Sequence, residues 1–480
     1  MEAKKLAGLE PASVFGYFEE ICAIPHGSRN TKMISDYLVN FAKEQGLKYI
    51  QDENNNVILF SDGTCGLEDH APVILQGHMD MVCEKDPEVK LDMAVDGLNL
   101  THDENYVFAK GTTLGGDDGI ALAFALALLA DTTIPHPPME IIFTVDEEIG
   151  MLGANAIDLS QLKGRSLINL DSEDEGIFTV ACAGGATATI SLPVERRAVY
   201  GPCVRLSVTG LQGGHSGAEI HKNRANANKV MGDFLDRIRK LMPLRLTSLA
   251  GGSKDNAIPR TCQATLVAMG IQLERINDIA KQLQAELREK FDEPEALVQA
   301  FDVDALGGNS LTDEATDRVI GLLCSVPNGV QAMSQDMEGL VETSLNLGII
   351  KLGERFNATF SVRSSVNARR LELLEKLKEL AEFYDGTYSQ MGEYPAWEYK
   401  KDSQLRDTMV RIYKEMFGKE PQVLAIHAGL ECGLLAEKLP GLDCVSIGPQ
   451  MHDIHTSRET LEIASTDRTW KFLLEVLKAL

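Results

Sequence analysis

The sequence predicts an α/β protein: an open sheet flanked by helices, interrupted by an inserted α+β segment and resumed near the C-terminus. Three observations carry this. Short apolar runs at residues 73–75, 139–145 and 166–170 read as buried strands, and each ends abruptly in polar ligand-type side chains. Helical spacing of apolar residues separates these runs. From about Ala186 the texture changes to alternating, half-exposed strands, which continue to about Tyr394. The predicted organisation is therefore residues 1–185 and 396–480 as one domain, with residues 186–395 inserted. The order of elements in the insertion suggests two related halves.

Taken in order, residues 12–46 show helical spacing at Val14, Phe15, Phe18 and Ile21 and again at Ile34, Leu38 and Phe41, broken at Pro25-His26-Gly27. Residues 57–60 and 73–75 read as strands. The second leads into Gln76-Gly77-His78-Met79-Asp80, where His78 and Asp80, two apart on an extended chain, project together. A ligating imidazole commonly donates its other N–H to a nearby oxygen. Alone, His-x-Asp is more often structural. Gly111 to Gly119 forms a glycine-rich loop before an apolar helix at residues 120–130, but Asp117 and Asp118 there would repel a phosphate. One aspartate suffices to cap a helix. The second is unexplained unless it holds a cation.

The strand at residues 139–145 runs into Asp146-Glu147-Glu148, which is either a solvated acidic turn or carboxylates gathered around a cation. Treated as extended chain, Glu147 and Glu148 point to opposite sides. A helix at residues 153–162 and a strand ending at Asp171 follow. His78, Glu147/Glu148 and Asp171 thus all fall at strand ends, where open α/β sheets build their sites. In the insertion, strands at 187–194, 204–208, 344–352 and 355–363 accompany helices at 226–242, 275–291 and 370–384. It carries His215 in a glycine-flanked loop, Asn256, and Arg363 at a strand end, whose planar fork suits a carboxylate. The tail reads as a helix at 408–416, a strand at 442–447 and a final helix at 469–480. It adds His427 and Glu431 in one motif and His452 and His455 in another, either of the last two a candidate ligand.

Length and composition narrow the function. The 480 residues, 44% hydrophobic, support a large core and two or three domains. With 71 acidic residues against 46 basic ones, the net charge of −25 disfavours nucleic acid. Nine cysteines without a Cys-x-x-Cys pair read as core residues in a reducing compartment. Residues 1–9 contain no long apolar run and residues 119–130 are too short to span a bilayer. A cytoplasmic protein without a membrane partner is expected.

Together, residues 76–82, 111–120, 146–154, 169–173, 213–217, 426–433 and 447–459 resemble the dinuclear metallopeptidases related to aminoacylase and carboxypeptidase G, and among them the dipeptidases acting on aminoacyl-histidine. The resemblance covers nearly the whole chain in order. It implies a catalytic domain with a central mixed sheet, an inserted lid, and two divalent ions bridged by Asp117, usually zinc, with manganese or cobalt as alternatives. His78 and Asp171 would complete one site, Glu148 and His455 the other. Asp80 would orient His78, Glu147 would be the general base, and the Asp117–Asp118 peptide would be cis. His215 would stabilise the oxyanion. Asn256, Arg363, His427 and Glu431 would hold substrate, with Arg363 on the C-terminal carboxylate. The implied activity is hydrolysis of small peptides, broad among dipeptides, with a preference for Xaa-His including β-alanyl-histidine left open. An aminoacylase or tripeptidase would share the metal set, and a metal-free binding module would lack it. Relatives are often homodimers, although an enlarged lid could serve within one chain.

Overall fold

The computed structural model of the protein describes residues 4–268, 273–303 and 307–480. Residues 1–3 of the stretch read for a leader lie outside them. The chain divides into two compact units: Met1–Ala181 with Tyr399–Ala425 and Leu430–Leu480, and Cys182–Glu398 with Ile426–Gly429.

The first unit opens with α1 (Ala12–Cys22) and α2 (Lys32–Glu44), whose apolar faces are buried. It is built on a sheet containing β1 (Lys48–Gln51), β2 (Val57–Ser61), β3 (Val73–His78), β4 (Met139–Thr144), β5 (Ser166–Asn169) and β6 (Ile177–Cys182). The spatial order is β1, β2, β4, β3, β5, Asp443–Ser446, β6, Gln422–Ile426. β3 runs parallel to both β4 and β5, and Asp443–Ser446 runs parallel to β5. The outer pairs β1–β2 and β2–β4 are antiparallel, so the sheet is mixed. β3 and β4 are buried at every position, which is why they are mainly apolar, with Gln76, His78, Glu140 and Thr144 as their buried polar side chains. α3 (Gly116–Ala130) is buried from Gly116 to Leu129 and is therefore apolar all round. It packs against α1 and β3.

Parallel strands at the centre put their carboxyl ends on one edge. His78 pairs with Thr144, and Gln76 with Asn169, so the chain leaves β3, β4 and β5 at nearly one level. Two local expectations change. The helix read at residues 153–162 is only Leu152–Ala156. Beyond it the Asp158 carboxylate accepts the Ser160 N–H, and Glu140 accepts the N–H groups of Lys163 and Gly164, so side chains compete with the helical ladder. The stretch through Glu147 and Glu148 is not extended either. β4 ends at Thr144, and Asp146 takes a left-handed conformation (φ 55°) that starts a turn.

The second unit is α+β. Its nine-stranded sheet is antiparallel throughout, with the long hairpin Val341–Leu352/Arg355–Ser364 near its middle and Gly184–Pro193 beside it. Helices Ala227–Arg239, Leu273–Phe291, Asp313–Ser325 and Asn367–Phe383 share a hydrophobic core with it. Strand Gly184–Pro193 alternates buried and half-buried residues over most of its length, as a sheet covered on one face requires. Among the described residues no helix is long and apolar enough to cross a membrane. Among the described residues the cysteines form no disulfide.

Candidate active site

The carboxyl edge of the parallel strands in the first unit gathers His78, Asp80, Asp117, Asp118, Glu147, Glu148, Asp171 and His455. His78 closes β3 and is almost completely buried. Its Nδ1 donates to the backbone carbonyl of Asp80 at 2.9 Å, while the Asp80 carboxylate lies 3.6 Å from the same nitrogen. That fixes the tautomer with Nε2 free to ligate. The Asp80 carboxylate accepts the Ser28 hydroxyl (2.8 Å) and the Glu147 N–H (3.0 Å), tying together two of the converging segments.

His78 Nε2 lies 3.0 Å from Asp117 Oδ1 and 3.6 Å from Asp171 Oδ1. His455 Nε2 lies 3.1 Å from Asp117 Oδ2 and 3.0 Å from Glu148 Oε1. The two oxygens of Asp117 therefore face two different imidazoles. Donor atoms of Asp117, Glu148 and His455 lie within 4.8 Å of one another, as do those of His78, Asp118 and Asp171, and those of His78, Glu147 and Glu148. His452, the rival of His455, instead stands edge-on to Tyr106, with ring centroids 5.9 Å apart.

Neither Asp117 nor Asp118 caps α3. The N-cap is Gly115, in the left-handed region at φ 69°, and both aspartates have non-helical backbone. The Asp117–Asp118 peptide is cis. Asp118 Oδ2 accepts the His78 N–H at 3.1 Å. Glu459 supplies the cap, a role that sequence reasoning missed.

The electrostatics have one theme. Burial pushes the carboxyls of Glu147 and Asp118 well above the usual range and Asp171 up to about 6. For Asp117 burial is outweighed by hydrogen bonds from His455 and His78, and its carboxyl is lowered. Burial works against protonating His78, but Asp117, Asp171 and Asp80 outweigh it and raise the imidazole well above its ordinary value. Hydrogen bonds to Asp117 and Glu148 push His455 up to about 10. The cluster balances its negative charge with cations. A divalent ion among these imidazole and carboxylate donors would displace the imidazole protons and fit the oxygen and nitrogen set. The residues present therefore fit a metal site.

Glu431 is fully buried. Its Oε2 accepts from Gln76 Nε2 and Thr144 Oγ1, each at 2.6 Å, and its Oε1 has no hydrogen-bond partner among the described residues.

The second unit carries a cluster of opposite character. His215 pairs across a two-residue ladder with Ala257, and the Asn256 carbonyl accepts the Ser216 N–H, so Asn256 stands beside it. His215 Nδ1 accepts the N–H groups of Gly217 (3.3 Å) and Ala218 (3.0 Å), which leaves the ring proton on Nε2. Arg363 Nη1 donates to the Tyr394 hydroxyl at 3.0 Å, and its buried Nε has no partner among the described residues. His427 Nε2 lies 2.7 Å from Ser344 Oγ. A Cβ on Gly217 would sit 2.5 Å from the His427 carbonyl, 3.0 Å from His215 Cε1 and 3.2 Å from Arg363 Nε, so glycine lets these three converge. Burial, then Arg363, lowers His215 and takes His427 down to about 3. Tyr394 and Ser344 carry no motif that sequence reasoning could have used.

Comparison with known proteins follows this geometry. Residues 74–479 match the family described as Peptidase family M20/M25/M40. The chain is 36% identical over 478 residues to the cytosol non-specific dipeptidase of Escherichia coli strain K12, covering 99% of each. Its structure is similar to that of aminoacylhistidine dipeptidase from Vibrio alginolyticus, with a TM-score of 0.94 and 34% identity over 100% of this chain and 98% of that one. A tripeptidase from Staphylococcus aureus shares the fold, with a TM-score of 0.56 and 15% identity over 98% of each chain.

Proposed function

Because the chain belongs to peptidase family M20/M25/M40, we propose that it hydrolyses dipeptides at a site whose residues would hold two divalent metal ions, with Asp117 as a ligand shared by both. It is a metal-dependent hydrolase acting on dipeptides, and its full-length relatives are named dipeptidases. The observation that carries the two-ion reading is the placement of Asp117, whose Oδ1 is 3.0 Å from His78 and whose Oδ2 is 3.1 Å from His455. One ion would be held by His78, Asp117 and Asp171, and the other by Asp117, Glu148 and His455. Nitrogen and oxygen donors without thiolate favour zinc, with manganese and cobalt as alternatives.

When bound, the ions supply Lewis acidity toward the scissile carbonyl and the attacking water. Glu147 is the general base. Its backbone N–H is anchored on Asp80, and its carboxylate takes a proton from the water and passes it to the leaving amine. Asp80 orients His78. His215, with its proton on Nε2, is a neutral donor suited to the developing oxyanion. Arg363, Asn256 and His427 hold the substrate, Arg363 through its C-terminal carboxylate. We place the activity in the cytosol, as the name of the Escherichia coli relative does, and propose a preference for Xaa-His dipeptides in line with the name of the Vibrio protein.

One preparation tests this. Bound metal is measured by elemental analysis, and turnover is assayed against Ala-His, β-alanyl-histidine, a tripeptide and an N-acetyl amino acid. Two equivalents of metal with dipeptide turnover are expected. Faster turnover of the tripeptide or the acetylated amino acid would replace dipeptidase by tripeptidase or aminoacylase, and absence of both metal and turnover would leave a binding module.

A further inference from the structure

Glu459 follows the ligand His455 by four residues and is buried, 3% exposed. Its carboxylate takes four consecutive backbone N–H groups at the start of α3. Oε2 accepts those of Leu114 (2.8 Å) and Gly115 (3.3 Å), and Oε1 accepts those of Gly116 (2.8 Å) and Asp117 (3.4 Å). The first N–H groups of a helix need partners, and the helix dipole favours negative charge there. A local serine, threonine or asparagine at the cap would meet that need at little cost. This chain instead has glycine at the cap and brings in a carboxylate from more than 300 residues away, beside the already negative Asp117.

The expense makes sense if the link itself is the purpose. Glu459 joins the segment that carries His455 to the segment that carries Asp117, and the His455 and Asp117 side chains meet at 3.1 Å. Both ends of this tie are in the first unit. We infer that Glu459 is a positioning residue that holds the bridging carboxylate of Asp117 and the imidazole of His455 in register for metal binding. It touches neither metal nor substrate and acts through the backbone of residues 114–117. The inference rests on the reading of Asp117 as the shared ligand.

Zinc binding, measured by chelator competition without substrate, tests it. In Glu459→Gln one acceptor oxygen becomes an NH2 group facing N–H donors. Its apparent zinc dissociation constant should rise about 10- to 100-fold, the usual loss when an outer partner of a ligand is removed. Gly116→Ala perturbs the same tie from the other side, because its Cβ would lie 3.2 Å from Glu459 Oε1 and 3.0 Å from Met451 Sδ. It should weaken zinc in the same direction, and Glu459→Asp should recover part of the loss. In each variant, kcat at saturating zinc should return toward that of the parent. The metal-free proteins are melted in parallel. A fall in their melting temperature with parental zinc affinity would reduce Glu459 to a helix cap and overturn the inference, as would parental affinity in both Glu459→Gln and Gly116→Ala. Asp117→Asn separates the two readings. If it binds two zinc ions as the parent does, the shared-ligand reading fails; if it loses them while Glu459→Gln keeps them, only the tie fails. Should Glu459→Gln not fold, Gly116→Ala and Glu459→Asp decide alone.

Discussion

His78 and His455 in the first unit and His215 and His427 in the second are the same side chain in opposite fields. Without a metal ion, carboxylates raise the proton affinity of the first pair. Burial and Arg363 hold the second pair neutral. The contrast teaches what each cluster asks of a ligand. The first unit crowds Asp117, Asp118, Glu147, Glu148 and Asp171 around two imidazoles, so a cation satisfies it. The second buries a guanidinium whose Nε has no partner among the described residues and sets neutral imidazoles beside it, so an anion satisfies it. A dipeptide at a metal site presents both needs at once: a carbonyl to polarise and a carboxylate to grip.

The contrast breaks most sharply when the cation is removed. Dialysis against a chelator should abolish hydrolysis and lower the melting temperature, and added zinc should restore both. Ligand linkage at a thousandfold excess over Kd is worth about 4 kcal/mol. An Arg363 variant should lose the same stability on chelation as the parent, because its cluster takes no metal. A chelator-insensitive enzyme would end the metal reading. Glu147→Ala comes next. It should lower kcat by about 100- to 10,000-fold, the range for a lost general base, while elemental analysis still finds the parental metal content. Unchanged dipeptide turnover would remove Glu147 from the mechanism.

Arg363→Lys sharpens the other side. It keeps the charge but loses the planar fork. KM for dipeptides with a free carboxylate should rise about 10- to 100-fold, as expected for charge-assisted hydrogen bonds worth about 1.5–3 kcal/mol. C-terminally amidated dipeptides, which lack that carboxylate, should change little. Equal effects on acid and amide would mean that Arg363 supports the unit and does not read the carboxylate.

Much of the first cluster is legible in sequence because its ligands sit at strand ends, and strand ends are marked where an apolar run meets charge. β3, β4 and β5 carry that mark at His78, Glu147 and Asp171. The turn at Asp146 is less legible: alternation along an extended chain predicts opposite faces for Glu147 and Glu148, whereas a left-handed residue redirects both. Glu431 shows the limit of a motif. It follows His427 by four residues, yet the two belong to different units, and Glu431 faces Gln76 and Thr144. Glu459, Tyr394 and Ser344 act through tertiary contacts with residues far along the chain or across a sheet. Nothing periodic announces them.

The smallest expected effect concerns His427 and tests the second field by pH. The unfolded imidazole titrates near its ordinary 6.5, and the folded one near about 3, because burial and Arg363 disfavour its charge. Between these values the unfolded chain binds a proton that the folded chain does not, so stability rises with pH across the window and falls as pH drops through it. Each pH unit below 6.5 is worth at most about 1.4 kcal/mol from one such group. His427→Gln lacks the titration. Other groups titrate alike in both proteins, so the parent should lose more stability than the variant between pH 7 and pH 4.5. Urea unfolding at the two pH values reads the difference. Parallel losses would mean that the folded imidazole titrates normally and that the field of Arg363 does not reach it.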